Sequence, residues 1–233
     1  MYPSKKIDMQ LNNDLSRVVV LNTAEIPWQA SPDGAVLLRM LEQECAAGMR
    51  TTFLVRYQPG THLTSHTHEK GEEIIVLEGN FSDEQGVYPA GCYIKNPPGS
   101  THAPYSEAGC TLLIKQSHMQ PDDMERVVVD VQSSTWYPGM VGGLSVLPLS
   151  EFKGEHSALV KWQPGTVFNP HRHWGGEEIY VLEGVFEDEF GRYPAGTWLR
   201  NPHMSQHAPF SKEGCTIFVK VGHLPDITAE FAT

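Results

Sequence analysis

The 233-residue chain has room for one large domain or for two of roughly 115 residues each, and its 40% apolar and 19% charged residues are typical of a globular protein. A net charge of −11 and the absence of any cluster of lysine and arginine argue against nucleic acid as a partner. No apolar run reaches the roughly 18 residues of a membrane span, and the N-terminus lacks the apolar run of a signal peptide, so we expect a cytoplasmic protein without a membrane anchor.

In chain order, the first predicted element is one or two turns of amphipathic helix within Gly34–Ala47, although the corresponding Met140–Leu147 is rich in glycine and indicates a strand. Short segments rich in β-branched and aromatic residues then alternate with Gly, Pro, Asn and Asp. The predicted strands of the first half are Thr51–Tyr57, Glu73–Leu77, Cys92–Lys95 and Thr111–Lys115. Many short strands of this kind predict an all-β sandwich or barrel.

The sequence repeats itself with an offset of 105 residues, and 34 of the 61 positions in Val55–Lys115 match their counterparts without an insertion or deletion. Upstream, the residues 17–20 recur at 126–129 with a slightly longer offset. We therefore predict two domains of the same fold, at residues 1–121 and 122–233. Such a fused pair is compatible with a monomer or a homodimer.

The cysteines follow neither a CxxC spacing nor a disulfide framework. We interpret them as free thiols in a reducing compartment. They are Cys45, Cys92, Cys110 and Cys215.

Each repeat carries the same metal-ligating residue types at the same spacing. The first set is His66, His68, Glu72 and His102, and the second set is His171, His173, Glu177 and His207. Residues i and i+2 of a strand point to the same face, so the two neighbouring histidines project together, and the third must arrive from another strand. Three imidazoles and one carboxylate suit a divalent transition metal such as Zn, Fe, Ni, Mn or Cu, and the thiolates of a purely structural zinc site are missing.

A second glutamate follows each proposed ligand, at Glu73 and Glu178. Only one member of each pair can face the metal, because adjacent strand residues point to opposite faces. Glu72 shares its parity with the apolar Ile74, which favours Glu72, and by the same count Glu177, as the residue inside the barrel.

These residues carry a resemblance to a known family. The run from Gly60 to Gly79 around the first ligands resembles the first cupin motif, and the run from Gly91 through Asn96 to His102 resembles the second. The resemblance implies two tandem double-stranded β-helix (jelly-roll) barrels, each with a metal in its mouth. The sequence segments GEEIIVLEG and NPPGSTHAPYS are similar to the cupin domain of ChrR-type anti-sigma factors. This resemblance covers residues 15–118 and again 124–222.

In that family the matching residues are understood to bind zinc. The resemblance therefore implies zinc on the eight residues named above, with iron, nickel or manganese as alternatives. ChrR proteins also place a helical zinc-binding domain with a His-x3-Cys-x2-Cys motif before the cupin. No such motif occurs in this sequence, and residues 1–16 are too few for that domain, so we do not expect direct capture of a sigma factor.

Two functions are compatible with these features. The resemblance to ChrR-type cupin domains predicts a regulatory or sensory bicupin. Its metal would stabilise the barrel and respond to a small-molecule ligand or an oxidant. The alternative is a metal-dependent dioxygenase or related enzyme acting on a small diketone or phenolic ketone, because this ligation leaves coordination positions open. The first site would offer more proton donors to such chemistry, with His62 and Tyr105 where the second has Val167 and Phe210.

Overall fold

A computed structural model describes residues 10–44 and 49–226. Within these ranges the chain forms β-strands, with one 3-10 turn at Thr23–Glu25 as its helical element, which confirms the prediction of an all-β protein. No helix in the described ranges has the length and apolar character needed to cross a membrane.

The strands are numbered in chain order. The first set consists of β1 (Val19–Asn22), β2 (Gln29–Ala30), β3 (Val36–Gln43), β4 (Thr51–Tyr57), β5 (Thr61–His62), β6 (His66–His68), β7 (Glu72–Asp83), β8 (Gly86–Pro89), β9 (Cys92–Asn96), β10 (Ser100–His102), β11 (Tyr105–Ser106), β12 (Cys110–Gln116) and β13 (Val127–Asp130). The second set consists of β14 (Tyr137–Pro138), β15 (Leu144–Phe152), β16 (Glu155–Trp162), β17 (Thr166–Val167), β18 (His171–Arg172), β19 (Glu177–Glu187), β20 (Arg192–Pro194), β21 (Thr197–Asn201), β22 (Gln206–His207), β23 (Phe210–Ser211) and β24 (Cys215–Val221).

The strands form two barrels with matching topology. In the first, a ten-stranded sheet runs β13-β9-β7-β12-β4-β3-β2 with β5, β8 and β11 attached beside this path, and β6 and β10 form a separate ribbon. In the second, the order is β1-β21-β19-β24-β16-β15-β14 with β17, β20 and β23 beside it, and β18 and β22 form the ribbon. The agreement between the two orders confirms the predicted tandem barrels.

Side chains that alternate along the long strands fill each barrel, as the period of two requires. On β7 the inward positions include Ile74 and Val76, which are 1% exposed and belong to the core of the first barrel. Ile179 and Val181 occupy the matching positions in the second core. Burying an aliphatic or aromatic side chain contributes roughly 1.5–3 kcal/mol, so each barrel has its own hydrophobic source of stability.

The chain separates into two compact units, and the domain bounds 1–121 and 122–233 stay a prediction. One unit contains Ile26–Ser134 and the described residues before Asp14, and the other contains Asp14–Glu25 and the described residues from Thr135 onward. Strand β13 therefore pairs with β9 in the first barrel, and β1 pairs with β21 in the second. The two strands are similar valine-rich segments, so the sequence does not distinguish pairing within a repeat from pairing with the other one.

A buried cation contacts the chain shortly before each of these two strands, β13 and β1. In each case the cation lies on the strand that pairs with it. In the first barrel Lys95, which is 2% exposed, donates to both carboxylate oxygens of Asp123 at 2.8 Å. In the second, the buried Arg200 donates through Nη2 to the backbone carbonyl of Asp14 at 2.8 Å. The contact before β13 is therefore a buried ion pair, and the contact before β1 is a hydrogen bond to a backbone oxygen.

The predicted helix within Gly34–Ala47 is wrong for its described residues, because Val36–Gln43 is strand β3. Its apolar residues fit a helical period and a strand period equally well. Pairing of β3 with β4, in which Leu38 lies opposite Val55, decides in favour of the strand. Residues 45–48, including Cys45, lie outside the described residues.

Candidate metal centres

The two ribbons bring the third histidine to the first two. In the first barrel β6 and β10 pair antiparallel, with His66 opposite His102 and His68 opposite Ser100. In the second, His171 lies opposite His207. The expectation that the later histidine arrives from another strand is confirmed by this pairing.

In the first centre the imidazole nitrogens converge on one point. The Nε2 atoms of His68 and His102 are 3.0 Å apart, and each lies 3.3 Å from Oε1 of Glu72. The ring centroid of His66 lies 4.8 Å from that of His68 and 5.1 Å from that of His102. One ring nitrogen from each histidine falls within 4.8 Å of the others, a grouping that could hold a metal ion.

The second centre has the same arrangement. The Nε2 atoms of His173 and His207 are 3.0 Å apart, and Oε2 of Glu177 lies 3.4 Å from the first and 3.7 Å from the second. His171 completes the group, with its ring centroid 4.6 Å from that of His173. All eight sequence-predicted residues are therefore brought together, four in each barrel.

The structure also separates the two glutamates of each pair. Glu72 is 1% exposed and points toward the histidines, on the same face of β7 as the core residue Ile74. Glu73 points to the other face, where its carboxylate accepts a hydrogen bond from the Tyr93 hydroxyl at 2.6 Å. In the second barrel Glu178 likewise accepts from the indole of Trp198 at 3.3 Å. The parity argument is confirmed for the orientation of these residues, and their role as ligands stays a prediction.

Hydrogen bonds behind two histidines of each centre select the tautomer that a metal needs. The Nδ1 of His66 faces the carbonyl oxygen of Thr64 at 2.9 Å, and the Nδ1 of His102 faces Oδ2 of Asp83 at 3.4 Å. An acceptor on Nδ1 requires a proton there, so in the neutral ring the lone pair lies on Nε2. In the second barrel, Asn169 and Asp188 hold His171 and His207 in the same way.

Burial favours the uncharged form of most of these side chains. It lowers the pKa of His66 to about 4 and that of His68 to about 3, and it also lowers the pKa of His173 to about 3. Burial raises the pKa of Glu72 and Glu177, because the carboxylate loses water. Burial also lowers the pKa of His207, but its hydrogen bond to Asp188 and the nearby Glu177 outweigh burial and raise that pKa. Imidazole nitrogens grouped around a poorly solvated carboxyl group form a donor set that a divalent ion would complete, so the residues present fit a transition metal.

The sequence analysis missed residues that support the ligands. Asn96 donates from Nδ2 to Oε1 of Glu72 at 2.9 Å, and Asn201 donates to Oε2 of Glu177 at 3.0 Å. Asp83 and Asp188 stand behind the third histidine of each set. All four positions recur with the offset of 105 residues, so the repeat contained a signal that could have identified them.

The surroundings of the two centres differ. Beside the first, the rings of His62 and Tyr105 stack with centroids 5.1 Å apart and an interplanar angle of 1°, and His62 faces Glu107 at 3.2 Å. Near the second, the 73%-exposed Trp174 packs edge-on against His203 at 4.7 Å. The polar pair proposed from the sequence is therefore brought together near the first centre.

The family model of the ChrR cupin-like domain matches residues 16–120 and again residues 124–225. The two matches confirm the resemblance noted in the sequence and its duplication. No curated protein matches the sequence significantly.

Solved structures share the fold at low sequence identity. The chain aligns with a candidate dioxygenase from Nostoc punctiforme with a TM-score of 0.73 and 15% identity, over 88% of this chain and 82% of the other. It aligns with a candidate glyoxylate-induced protein from Pseudomonas aeruginosa with a TM-score of 0.67 and 16% identity, over 93% and 92%. A variant of the oxalate decarboxylase of Bacillus subtilis gives 0.60 and 15%, over 87% and 76%. At these identities the likeness concerns the fold alone.

Proposed function

The chain belongs to the ChrR cupin-like domain family, and from that premise we propose that it is a regulatory bicupin that binds one divalent metal ion, with zinc as the first choice, in each barrel. In this proposal a small-molecule ligand or an oxidant acts at the metal. The observation that carries it is the convergence of three imidazole nitrogens and one carboxylate in both barrels. When bound, a divalent ion that expands its coordination beyond these four ligands would supply a position for water or a small ligand.

The state of the cysteines supports the proposal that an oxidant or small ligand acts at the metal rather than at a thiol. Cys92, Cys110 and Cys215 are buried and free, as predicted for them. Burial raises the pKa of each thiol to about 11. Only the thiolate reacts readily with oxidants, so these three residues are poor redox sensors.

The test begins with metal content. We expect protein purified without added metal to carry about two equivalents of zinc per chain by inductively coupled plasma mass spectrometry. The cobalt-substituted protein should then change its visible absorption when hydrogen peroxide or a small chelating oxygen ligand is added, without net turnover. Absence of metal would contradict the binding proposal, and an unchanged spectrum would contradict the sensory role alone.

A second candidate function is a metal-dependent dioxygenase confined to the first barrel. The observation that favours it is the His62–Tyr105 pair, whose polar groups lie on β5 and β11, beside the strands that supply the ligands. The likeness to a candidate dioxygenase is compatible with this chemistry but supplies only the fold.

Oxygen consumption separates the two functions. The iron-loaded protein would be offered a panel of small diketones and phenolic ketones. Oxygen uptake that is lost in His66→Ala and kept in His171→Ala would support an enzyme in the first barrel. No uptake above that of the metal-free protein with any member of the panel would favour the regulatory role.

A further inference from the structure

Arg126 contacts two residues that support the first metal centre. It lies immediately before β13 and is half-buried. Its Nη2 donates to the hydroxyl oxygen of Tyr88 at 2.8 Å, and its Nε donates to Oδ1 of Asn96 at 3.3 Å. One guanidinium therefore joins two side chains from different strands, β8 and β9.

Both contacts lead to a proposed ligand. On one side, the Tyr88 hydroxyl donates to Oδ1 of Asp83 at 3.0 Å, and the other oxygen of Asp83 accepts from His102 at 3.4 Å. On the other side, Asn96 donates to Glu72 at 2.9 Å. Nε2 of His102 and Oε1 of Glu72 are themselves 3.3 Å apart, so the two chains of hydrogen bonds run from Arg126 to two neighbouring predicted ligands.

The arginine fixes the direction of every hydrogen bond in these two chains. A guanidinium carries donors and no acceptor, so it must face the lone pair of Tyr88 and the carbonyl oxygen of the Asn96 amide. The Tyr88 proton is then directed to Asp83, and the Asn96 NH2 group is directed to Glu72. Asp83 is left to accept from Nδ1 of His102, which keeps the Nε2 lone pair of that histidine directed at the centre.

The second barrel lacks this connection. Tyr193 and Asn201 occupy the matching positions and bond to Asp188 and Glu177 in the same way. The strand registers place Val18, which has no side-chain donor, at the position of Arg126, because Val127 lies opposite Lys95 and Val19 lies opposite Arg200. Arg17, the arginine that the sequence repeat pairs with Arg126, has a side chain that is 79% exposed and forms an ion pair with Asp14 at 3.0 Å. Among the described residues, Arg17 donates no hydrogen bond to Tyr193 or Asn201.

We infer that Arg126 is a positioning residue of the first metal centre, which aligns Glu72 and His102 together and so raises the affinity of that centre for a divalent ion. The inference rests on the proposed metal binding, which it extends to a difference between the two barrels. Removal of an outer hydrogen-bond partner of a metal ligand weakens binding by about 10- to 100-fold, and we expect a loss in this range.

The test measures cobalt binding to the full chain with the second centre silenced by His171→Gln and His173→Gln. In this parent, Arg126→Gln should lower the affinity for Co²⁺ by about tenfold or more, measured by competition with a chelator, and should shift the visible absorption of the bound ion. Arg126→Lys keeps the charge but lacks the two-armed geometry, so it should behave like Arg126→Gln. In the chain with both centres intact, only one of the two binding steps should weaken.

The matched control is Arg17→Gln in a chain whose first centre is silenced by His66→Gln and His68→Gln, where affinity and spectrum should stay at the values of that parent. A lower unfolding temperature of Arg126→Gln with unchanged affinity and spectrum would overturn the inference and leave Arg126 a structural residue. Wild-type affinity in Arg126→Lys would overturn the positioning argument in favour of a charge effect. A parent that binds no cobalt would overturn the proposed metal site, and the inference with it.

Discussion

The two barrels are alike at the ligands and different one layer further out. In both, the Nε2 atoms of the two buried histidines are 3.0 Å apart, an asparagine bonds the glutamate, and an aspartate stands behind the third histidine. Beyond that layer, Gln116 lies 3.2 Å from Nδ1 of His68, whereas the matching residue of the second barrel is Val221. Arg126 joins the outer bonds of the first centre, and Arg17 does not do so in the second.

This difference indicates which residues define a centre and which adjust it. The ligands and their direct partners occupy strand positions that face the inside of the barrel, where an unpaired polar group is costly. The outer residues are half-buried or exposed, and at these positions the two barrels differ. We therefore expect two metal centres of the same type that differ in affinity and reactivity.

The largest effect is expected from loss of a ligand. His68→Ala should lower the bound metal by about one equivalent per chain and leave the second centre filled, and His173→Ala should do the reverse. Metal content by mass spectrometry measures both. Unchanged content in either variant would show that the ligand assignment of that barrel is wrong.

The next largest effect, on stability, distinguishes the contact of Lys95 with Asp123 from that of Arg200 with Asp14. Asp123→Ala leaves Lys95 buried without its carboxylate, and breaking a buried ion pair in this way costs about 3–5 kcal/mol. Asp14→Ala keeps the backbone oxygen that Arg200 uses and removes only exposed contacts with Ser16 and Arg17, so the denaturation midpoint should change far less. Replacing both members of the first pair, with Lys95→Met and Asp123→Leu, should recover most of the loss. Equal effects of the two alanine variants in urea denaturation would contradict the distinction.

The sequence was sufficient to predict the barrels and the grouping of the eight candidate ligands, because both depend on local period and on the repeat. A period of two places His66 and His68 on one face, and the same spacing at His171 and His173 shows that chance is not its source. The third histidine of each set was predicted to come from another strand. In both ribbons it lies directly opposite the first histidine of its set.

Other features depend on contacts that a local pattern does not contain. The segment Val36–Gln43 fits a helix or a strand, and its pairing with β4 decides. The choice of partner for β1 and β13 concerns two similar strands and two similar edges, so only the whole chain can resolve it. Arg126 and Arg17 look equivalent in the sequence, yet only Arg126 bonds to the supporting residues of a centre.

A smaller effect is expected at a close approach that both barrels share. Gly79 has φ of +72°, and a Cβ there would lie 2.1 Å from the carbonyl oxygen of Gly109. Gly79→Ala should cost about 3 kcal/mol, because a backbone has to move and the left-handed conformation is strained. Gly184→Ala should do the same, since its Cβ would lie 2.1 Å from the oxygen of Gly214.

The control for this effect is Gly60→Ala, where φ is +75° but no atom lies within 4 Å of the added Cβ. It should cost only about 1–2 kcal/mol from the left-handed conformation. Urea denaturation of the metal-loaded proteins measures all three. If Gly60→Ala were as destabilising as Gly79→Ala, the close approach would not be the cause.

The smallest effect is expected where the barrels differ most in polarity. His62→Val with Tyr105→Phe gives the first barrel the residues of the second, and it removes a stacked pair and an ion pair whose members are 59% and 71% exposed. Exposed contacts of this kind contribute little, so stability should change by less than about 0.5 kcal/mol and metal content should not change. A loss of metal would mean that the two side chains support the centre. They would then belong with the residues that define a centre and not with those that adjust it.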